Sequence, residues 1–330
     1  MDGQIGGRLL GAGSYGCTFS PAPRCADGTE YKTVGGLPAV GKLAFRDDGE
    51  LPIGQAIMKL PLASNYFALP SKTCRPALPL NDPDTCELLE DTDGSYVTML
   101  IMPDGGATMD HYLHRPTAVA DNFVQIFKHL LEGMIIYQDA GYIHNDIHSA
   151  NVLVDKHNVA RYIDFGRAYR PATINTLASA KISPVFNTKP SWRPPEVYLW
   201  KMLANRVSDG VRKIIDGNED YSRMERLYPS RTSASVALNR IALVMKPLVG
   251  RDDFGAFARK YGTRMDSWRI GLMMWDAWGK IMLASSIPGS AMKSHPILKQ
   301  SAKISHIIGG LTDFDVATRW DAKKALEHFR

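Results

Sequence analysis

The stretch His144-Asn145-Asp146-Ile147-His148-Ser149-Ala150-Asn151, followed by the apolar run Val152 to Val154 and then by Tyr162-Ile163-Asp164-Phe165-Gly166, decides the reading of this chain. Two carboxylates and one amide bracket what reads as a short hairpin. Oxygen ligands of this kind suit Mg2+, and a carboxylate beside them can orient a hydroxyl and accept its proton. Phosphoryl transfer asks for little further covalent chemistry. An Asp in a turn is ordinarily a solvated cap, and D-F-G alone recurs by chance. H-x-D-x-x-x-x-N and I-D-F-G at this separation are a far more specific pair. Asp146 is the candidate base, and Asn151 and Asp164 are the candidate metal ligands.

Working outward, Phe123, Ile126, Phe127, Leu130, Leu131, Met134 and Ile135 recur at helical spacing, and Gly141 is a stop signal. The first hundred residues are Gly- and Pro-rich with β-type runs at Arg8 to Leu10, Cys17 to Phe19, Ala39 to Phe45 and Tyr96 to Met102. Ser267 to Leu283 and Trp320 to Phe329 read as helices. The expected class is α+β, a small β-rich lobe over 1–103 and a larger helical lobe over 104–330. The 330 residues are 45% hydrophobic and 22% charged, which suits a globular chain, and the charge of +5 is too small to mark a nucleic-acid-binding tail. No apolar run spans a bilayer or forms a signal segment, so a soluble, intracellular protein needing neither membrane nor nucleic acid is expected. The four cysteines, Cys17, Cys25, Cys74 and Cys86, form no C-x-x-C pair and read as buried, reduced thiols.

Taken together these motifs resemble the protein kinase superfamily, in the family's order, over nearly the whole chain. Gly11-Ala12-Gly13-Ser14-Tyr15-Gly16 is similar to its phosphate-covering loop, and Thr18 stands where Val usually roofs the adenine. Leu100 to Gly106, with Met102, resembles the hinge that binds adenine. Trp192-Arg193-Pro194-Pro195-Glu196 resembles the end of the activation segment, and Asp266-Ser267-Trp268-Arg269-Ile270-Gly271 the opening of a central helix. Arg319 matches the arginine that pairs with that Glu, here Glu196. The resemblance implies a single bilobal kinase domain, ATP and Mg2+ as cofactors, and a protein Ser/Thr acceptor. Two lysines compete for the ATP phosphates. Lys42 lies mid-strand with Glu50 opening a following helix as its partner, whereas Lys59, in Ala56-Ile57-Met58-Lys59, reads as an exposed helix residue. The G-S-Y-G-C run, Pro21 to Cys25 and V-G-K further resemble Ser/Thr kinases of large nucleo-cytoplasmic DNA viruses, which would place the enzyme in host cytoplasm, nucleus or virion.

Three departures qualify the resemblance. Asn145 replaces the Arg whose charge an activation-loop phosphate offsets, so activity independent of phosphorylation at Thr173, Thr176, Ser179 or Ser183 is expected. His148 replaces the Lys that contacts the γ-phosphate, as in small-molecule kinases of the aminoglycoside and choline type, which keeps a small alcohol open as acceptor. The stretch from Glu196 to Asp266 is long, so residues of about 200–262 read as an insertion. Its Lys and Arg residues could dock an acidic partner or form the solvated face of a decorating helical pair. A scaffold without catalysis is a third alternative, although none of the candidate catalytic groups is missing.

Overall fold

The computed structural model describes residues 7–13, 16–44, 49–77, 86, 97–183, 192–207, 210–227 and 233–329. The chain divides into two compact units. The first comprises 1–106 and 153–166, the second 107–152 and 167–330. Residues 153–166, expected in the helical lobe, group with the first unit.

The first unit is built on antiparallel strands β1 (Arg8–Gly13), β2 (Gly16–Ser20), β3 (Thr33–Val34) and β4 (Leu37–Ala44). They are followed by helices α1 (Glu50–Ile57) and α2 (Ala63–Tyr66) and strands β5 (Lys72–Cys74) and β6 (Thr98–Pro103). The strand order is β1-β2-β4-β6-β5, with β3 folded back on β4. Phe45 and Tyr96, expected ends of two strands, lie outside the described residues. Side chains alternate across a strand, so register decides which face each occupies. Thr18 pairs with Lys42, Lys42 with Leu100, and Val40 with Met102. These residues share one face. Cys17, Phe19, Leu43, Met99 and Ile101 lie on the other and form its buried core.

That second face corrects the reading of the cysteines. Cys17 is bonded to Cys86 and Cys25 to Cys74, with Cα atoms 6.0 and 5.9 Å apart. The partners are 69 and 49 residues apart in sequence, so only the folded sheet brings them together. No local spacing could announce the pairing.

The second unit opens with β7 (Ala107–Thr108), α3 (Met109–Tyr112) and α4 (Pro116–Asp139). The chain then passes through β8 (Val152–Val154) and β9 (Ala160–Tyr162), which pair, before the remaining helices of the second unit. These are α5 (Pro195–Ala204), α6 (Arg212–Asp216), α7 (Glu219–Leu227), α8 (Ala234–Val249), α9 (Phe254–Ser286), α10 (Ser301–Leu311) and α11 (Ala322–His328). Pro116 supplies a preset φ at the first turn of α4, and Gly141, at φ 83°, turns the chain after it. The apolar stripe of α4, including Phe123, Phe127, Leu130 and Met134, is buried where α4 packs on α9 and α11. Asp266 sits in the middle of α9 rather than at its start, because Asp253, 13 residues earlier, caps the helix by accepting from the Ala256 amide at 2.9 Å.

In the segment read as an insertion, Arg206, Arg212, Lys213, Arg223 and Arg226 are exposed, while its apolar residues join the core of the second unit. Ile214, Ile215, Tyr221, Met224, Leu238, Ile241 and Met245, from α6, α7 and α8, are buried in the same core as Trp200, Trp268 and Phe314. The charges noted in the sequence flank apolar positions that face inward. Removing α6 to α8 would open the core of the second unit.

Candidate functional site

In the first unit the β1–β2 hairpin carries the glycine-rich loop. A Cβ at Gly16 would lie 2.1 Å from the Leu43 carbonyl oxygen, so only glycine lets β2 approach β4 there. Among the described residues a Cβ at Gly11 would meet nothing within 4 Å, so their packing does not account for that glycine. Ala12 and Gly13 complete β1, while Ser14 and Tyr15 lie outside the described residues. Thr18 is half-buried on the face that carries Lys42.

Lys42 projects from β4, the strand between β2 and β6. Its Nζ lies 2.7 Å from Glu50 Oε2, at the first turn of α1, and 3.5 Å from Asp164 Oδ2. Glu50 is buried, so its carboxylate depends on this ammonium. Lys59, in contrast, is exposed just beyond the end of α1. Asp164 adopts a left-handed φ of 59°, and its Oδ1 accepts from the Gly166 amide at 3.3 Å. Phe165 is fully buried against Phe67, with ring centroids 5.9 Å apart and nearly perpendicular. Met102 is buried with Val40 and Leu100 on the Lys42 face, and Asp104, just beyond β6, receives the Gly106 amide at 2.9 Å.

In the second unit the loop after α4 holds Asp146 and Asn151. Asn151 donates from Nδ2 to the Asp146 carbonyl at 2.9 Å, which ties the two ends of the loop together and turns the amide oxygen away from that bond. The Asp146 carboxylate lies 3.4 Å from Arg167 Nε, the residue that follows the I-D-F-G run. Below the loop, the buried Asp266 accepts from the backbone amides of His144 and Asn145 at 2.8 and 3.0 Å and from the Tyr137 hydroxyl at 2.9 Å. It also pairs with Arg269 at 2.9 Å. One carboxylate of α9 thus sets the backbone two residues ahead of Asp146. His148 rests against the Trp192 ring at 5.2 Å. Both line an open recess of about 190 Å³ with Asp220, Trp275 and Asp276, and partial desolvation pushes the Asp276 carboxyl up.

Glu196, at the start of α5, and Arg319 form a bidentate pair at 2.7 and 2.9 Å, both fully buried. Arg319 also donates to the carbonyls of Asp313 and Arg264 and stacks on Trp268 at 4.9 Å. Reading the sequence missed three partners: Arg167 beside Asp146, Arg269 beside Asn145, and Asp266 beneath the loop. The i, i+3 spacing of Asp266 and Arg269 was the one local signal for two of them.

Residues 85–209 match the family model described as protein tyrosine and serine/threonine kinase. The matched region is under half of the chain, and what it is similar to is a protein kinase domain. Two relatives from Arabidopsis thaliana align over much the same length. Mitogen-activated protein kinase kinase kinase 1 is 31% identical over 121 residues, 36% of this chain and 17% of that protein. Mitogen-activated protein kinase kinase kinase 9 is 29% identical over 129 residues, 38% and 15%. The aligned part is less than a fifth of either relative. The β-sheet first unit and helical second unit give the α+β composition of the kinase fold. Lys42, Glu50, Asp266 and Arg319 all lie outside the matched residues, so their pairings are independent of the match.

Proposed function

We propose that the protein transfers the γ-phosphoryl group of ATP to Ser or Thr hydroxyls of a protein acceptor. The observation that carries this reading is the Lys42 ammonium held by the buried Glu50 and lying 3.5 Å from Asp164, a cation poised for phosphate oxygens beside a carboxylate suited to Mg2+. Magnesium held by these residues would supply positive charge that offsets that of the phosphates. Asp164 and Asn151 supply oxygen atoms of the hard type that this ion takes, and Asn151 keeps its amide oxygen free of the bond its nitrogen makes. Asp146 orients the acceptor hydroxyl and takes its proton, with Arg167 steadying one carboxylate oxygen. The glycine loop, Thr18 and Met102 receive the nucleotide, and His148 contacts the transferred group.

A protein acceptor is favoured over a small alcohol by the complete Glu196–Arg319 pair, which fixes the start of α5 directly after the activation segment. The finer likeness to enzymes of large DNA viruses rests on the G-S-Y-G-C, P-x-P-R-C and V-G-K runs alone. Wild type, Asp146→Asn and Lys42→Met should be incubated with labelled ATP, Mg2+, casein, a basic protein and amino-alcohols. Label on protein Ser or Thr, lost by at least about a hundredfold in both variants, is expected. Label on an amino-alcohol alone would move the enzyme to the small-molecule class, and ATP binding without transfer would make it a scaffold.

A further inference from the structure

The recess beside the loop that carries Asp146 lies wholly within the second unit. It is lined by His148, two residues after Asp146, by Trp192, by Asp220 of α7, and by Arg269, Trp275 and Asp276 of α9. Its volume of about 190 Å³ suits one extended side chain rather than a folded segment. Several polar groups in its wall lack a partner. Among the described residues, neither Asp220 nor Asp276 has an ion pair or a hydrogen bond. Arg269 is 1% exposed and gives Nη1 to Asp266 and Nη2 to Asn145, yet its Nε has no acceptor. Trp192 Nε1 is likewise a buried donor without an acceptor. Buried donors are normally paired, so two unpaired ones on residues of one wall mark a place for an incoming acceptor.

Carboxylates without a cation and donors without an acceptor thus meet in one recess. The charged groups around it leave a negative balance. Arg269 is matched by Asp266 at 2.9 Å, Arg223 and Lys280 are exposed, and Asp110, which accepts from the Ser149 hydroxyl, adds a third carboxylate to Asp220 and Asp276. Partial desolvation pushes the Asp276 carboxyl up, and Asp110 and Asp220 add to the shift against the pull of Lys280. A polypeptide answers both needs, with a main-chain carbonyl for the donors and a basic side chain for the carboxylates. Arginine suits the tryptophans as well, because its planar guanidinium stacks on an indole face while its forked N–H groups reach carboxylates. The protein already makes one such contact, with the Arg223 guanidinium 5.3 Å from the Trp275 ring.

We propose that this recess receives an arginine side chain of the protein acceptor, with Asp220 and Asp276 as the residues that select it. This rests on the kinase reading above, so its test includes a readout that needs no catalysis. Peptide pools with a central Ser carry Arg, Ala or Glu fixed at each neighbouring position in turn. The wild type should favour Arg over Ala at one position by about tenfold or more in kcat/KM, most of it in KM. The double variant Asp220→Asn with Asp276→Asn should lose that preference, keep its rate on the Ala pool within about twofold, and unfold at an unchanged urea concentration. Asp276→Lys should move the preference at that position from Arg towards Glu. Fluorescence anisotropy of labelled pools without ATP should show the Arg pool binding about tenfold more tightly than the Ala pool, a difference absent in the double variant. No preference for Arg at any position, a double variant that retains it, or equal binding of the Arg and Ala pools would overturn the proposal. Transfer to an amino-alcohol that falls in the double variant would assign the recess to a small cation and overturn it as well. A wild type without transfer would instead refute the kinase reading, while the anisotropy still decides what the recess binds.

Discussion

Replacing Arg319 by Met tests whether the Glu196–Arg319 pair braces the second unit. Met reaches about as far as the aliphatic stem of Arg, so the stem is largely replaced while the guanidinium, which lies over the Trp268 ring, is lost. Glu196 would then be a carboxylate at 1% exposure with both oxygens stripped of partners. Breaking a buried pair in this way costs about 3–5 kcal/mol, because the remaining charge stays desolvated. The carbonyls of Asp313 and Arg264 each lose a donor, adding about 1 kcal/mol or more together. Against a total stability of about 5–15 kcal/mol, the variant stands close to unfolding at 37 °C. The double variant Glu196→Leu with Arg319→Met removes both charges and should be more stable than either single change, since apolar groups of similar volume replace a buried pair at little cost. Urea unfolding followed by tryptophan fluorescence is the assay, with Trp268 as a reporter at the pair. A loss below about 1 kcal/mol in Arg319→Met, or a double variant as damaged as the sum of the singles, would refute the reasoning.

Further outcomes follow from other sites. Lys201 is buried in α5, and its pKa falls from 10.5 to about 8, chiefly through burial and secondarily through Arg193. Its folded value lies below its unfolded one, so the unfolded chain binds the extra proton and stability rises with pH between about 8 and 10.5. Lys201→Met should therefore gain about 1–3 kcal/mol in urea unfolding at pH 7, with the gain fading above pH 10; a loss at pH 7 would sink the idea. Reducing the two disulfides should lower the stability of the first unit by about 2–4 kcal/mol for each bond, since each closes a long loop. An unchanged unfolding midpoint after complete reduction by a phosphine would count against that role.

The β-strands of the first unit and the stripe of α4 were legible because local periods of 2 and 3.6 residues write them into neighbouring positions. Glu50 was legible as the partner of Lys42 because a helix start follows the strand within eight residues. What stayed hidden is long-range. Asp266 reaches the amides of His144 and Asn145 across more than 120 residues, and Arg319 reaches Glu196 across 123. The second was accessible only by resemblance, and the first was read merely as the start of a helix. The inward packing of helices α6 to α8 stayed hidden for a related reason. Their charged residues are plain in the sequence, whereas the partners of Ile214, Tyr221 and Leu238 lie in α5, α9 and the 314–316 turn.

The cysteines carry the same lesson to a functional end. Disulfides persist in oxidising surroundings, and all four cysteines are bonded, on the sheet face opposite Lys42, Thr18 and Met102. A covalent brace on the far face can hold β2 and β5 in place while leaving the side chains of the Lys42 face untouched. Reduction should then act on the stability of the sheet before it acts on the groups proposed to meet ATP. If stability were to fall with the KM for ATP unchanged in the protein that remains folded, the two faces would be separable; a rise in KM without loss of stability would place the bond between Cys17 and Cys86 in control of the neighbouring Thr18.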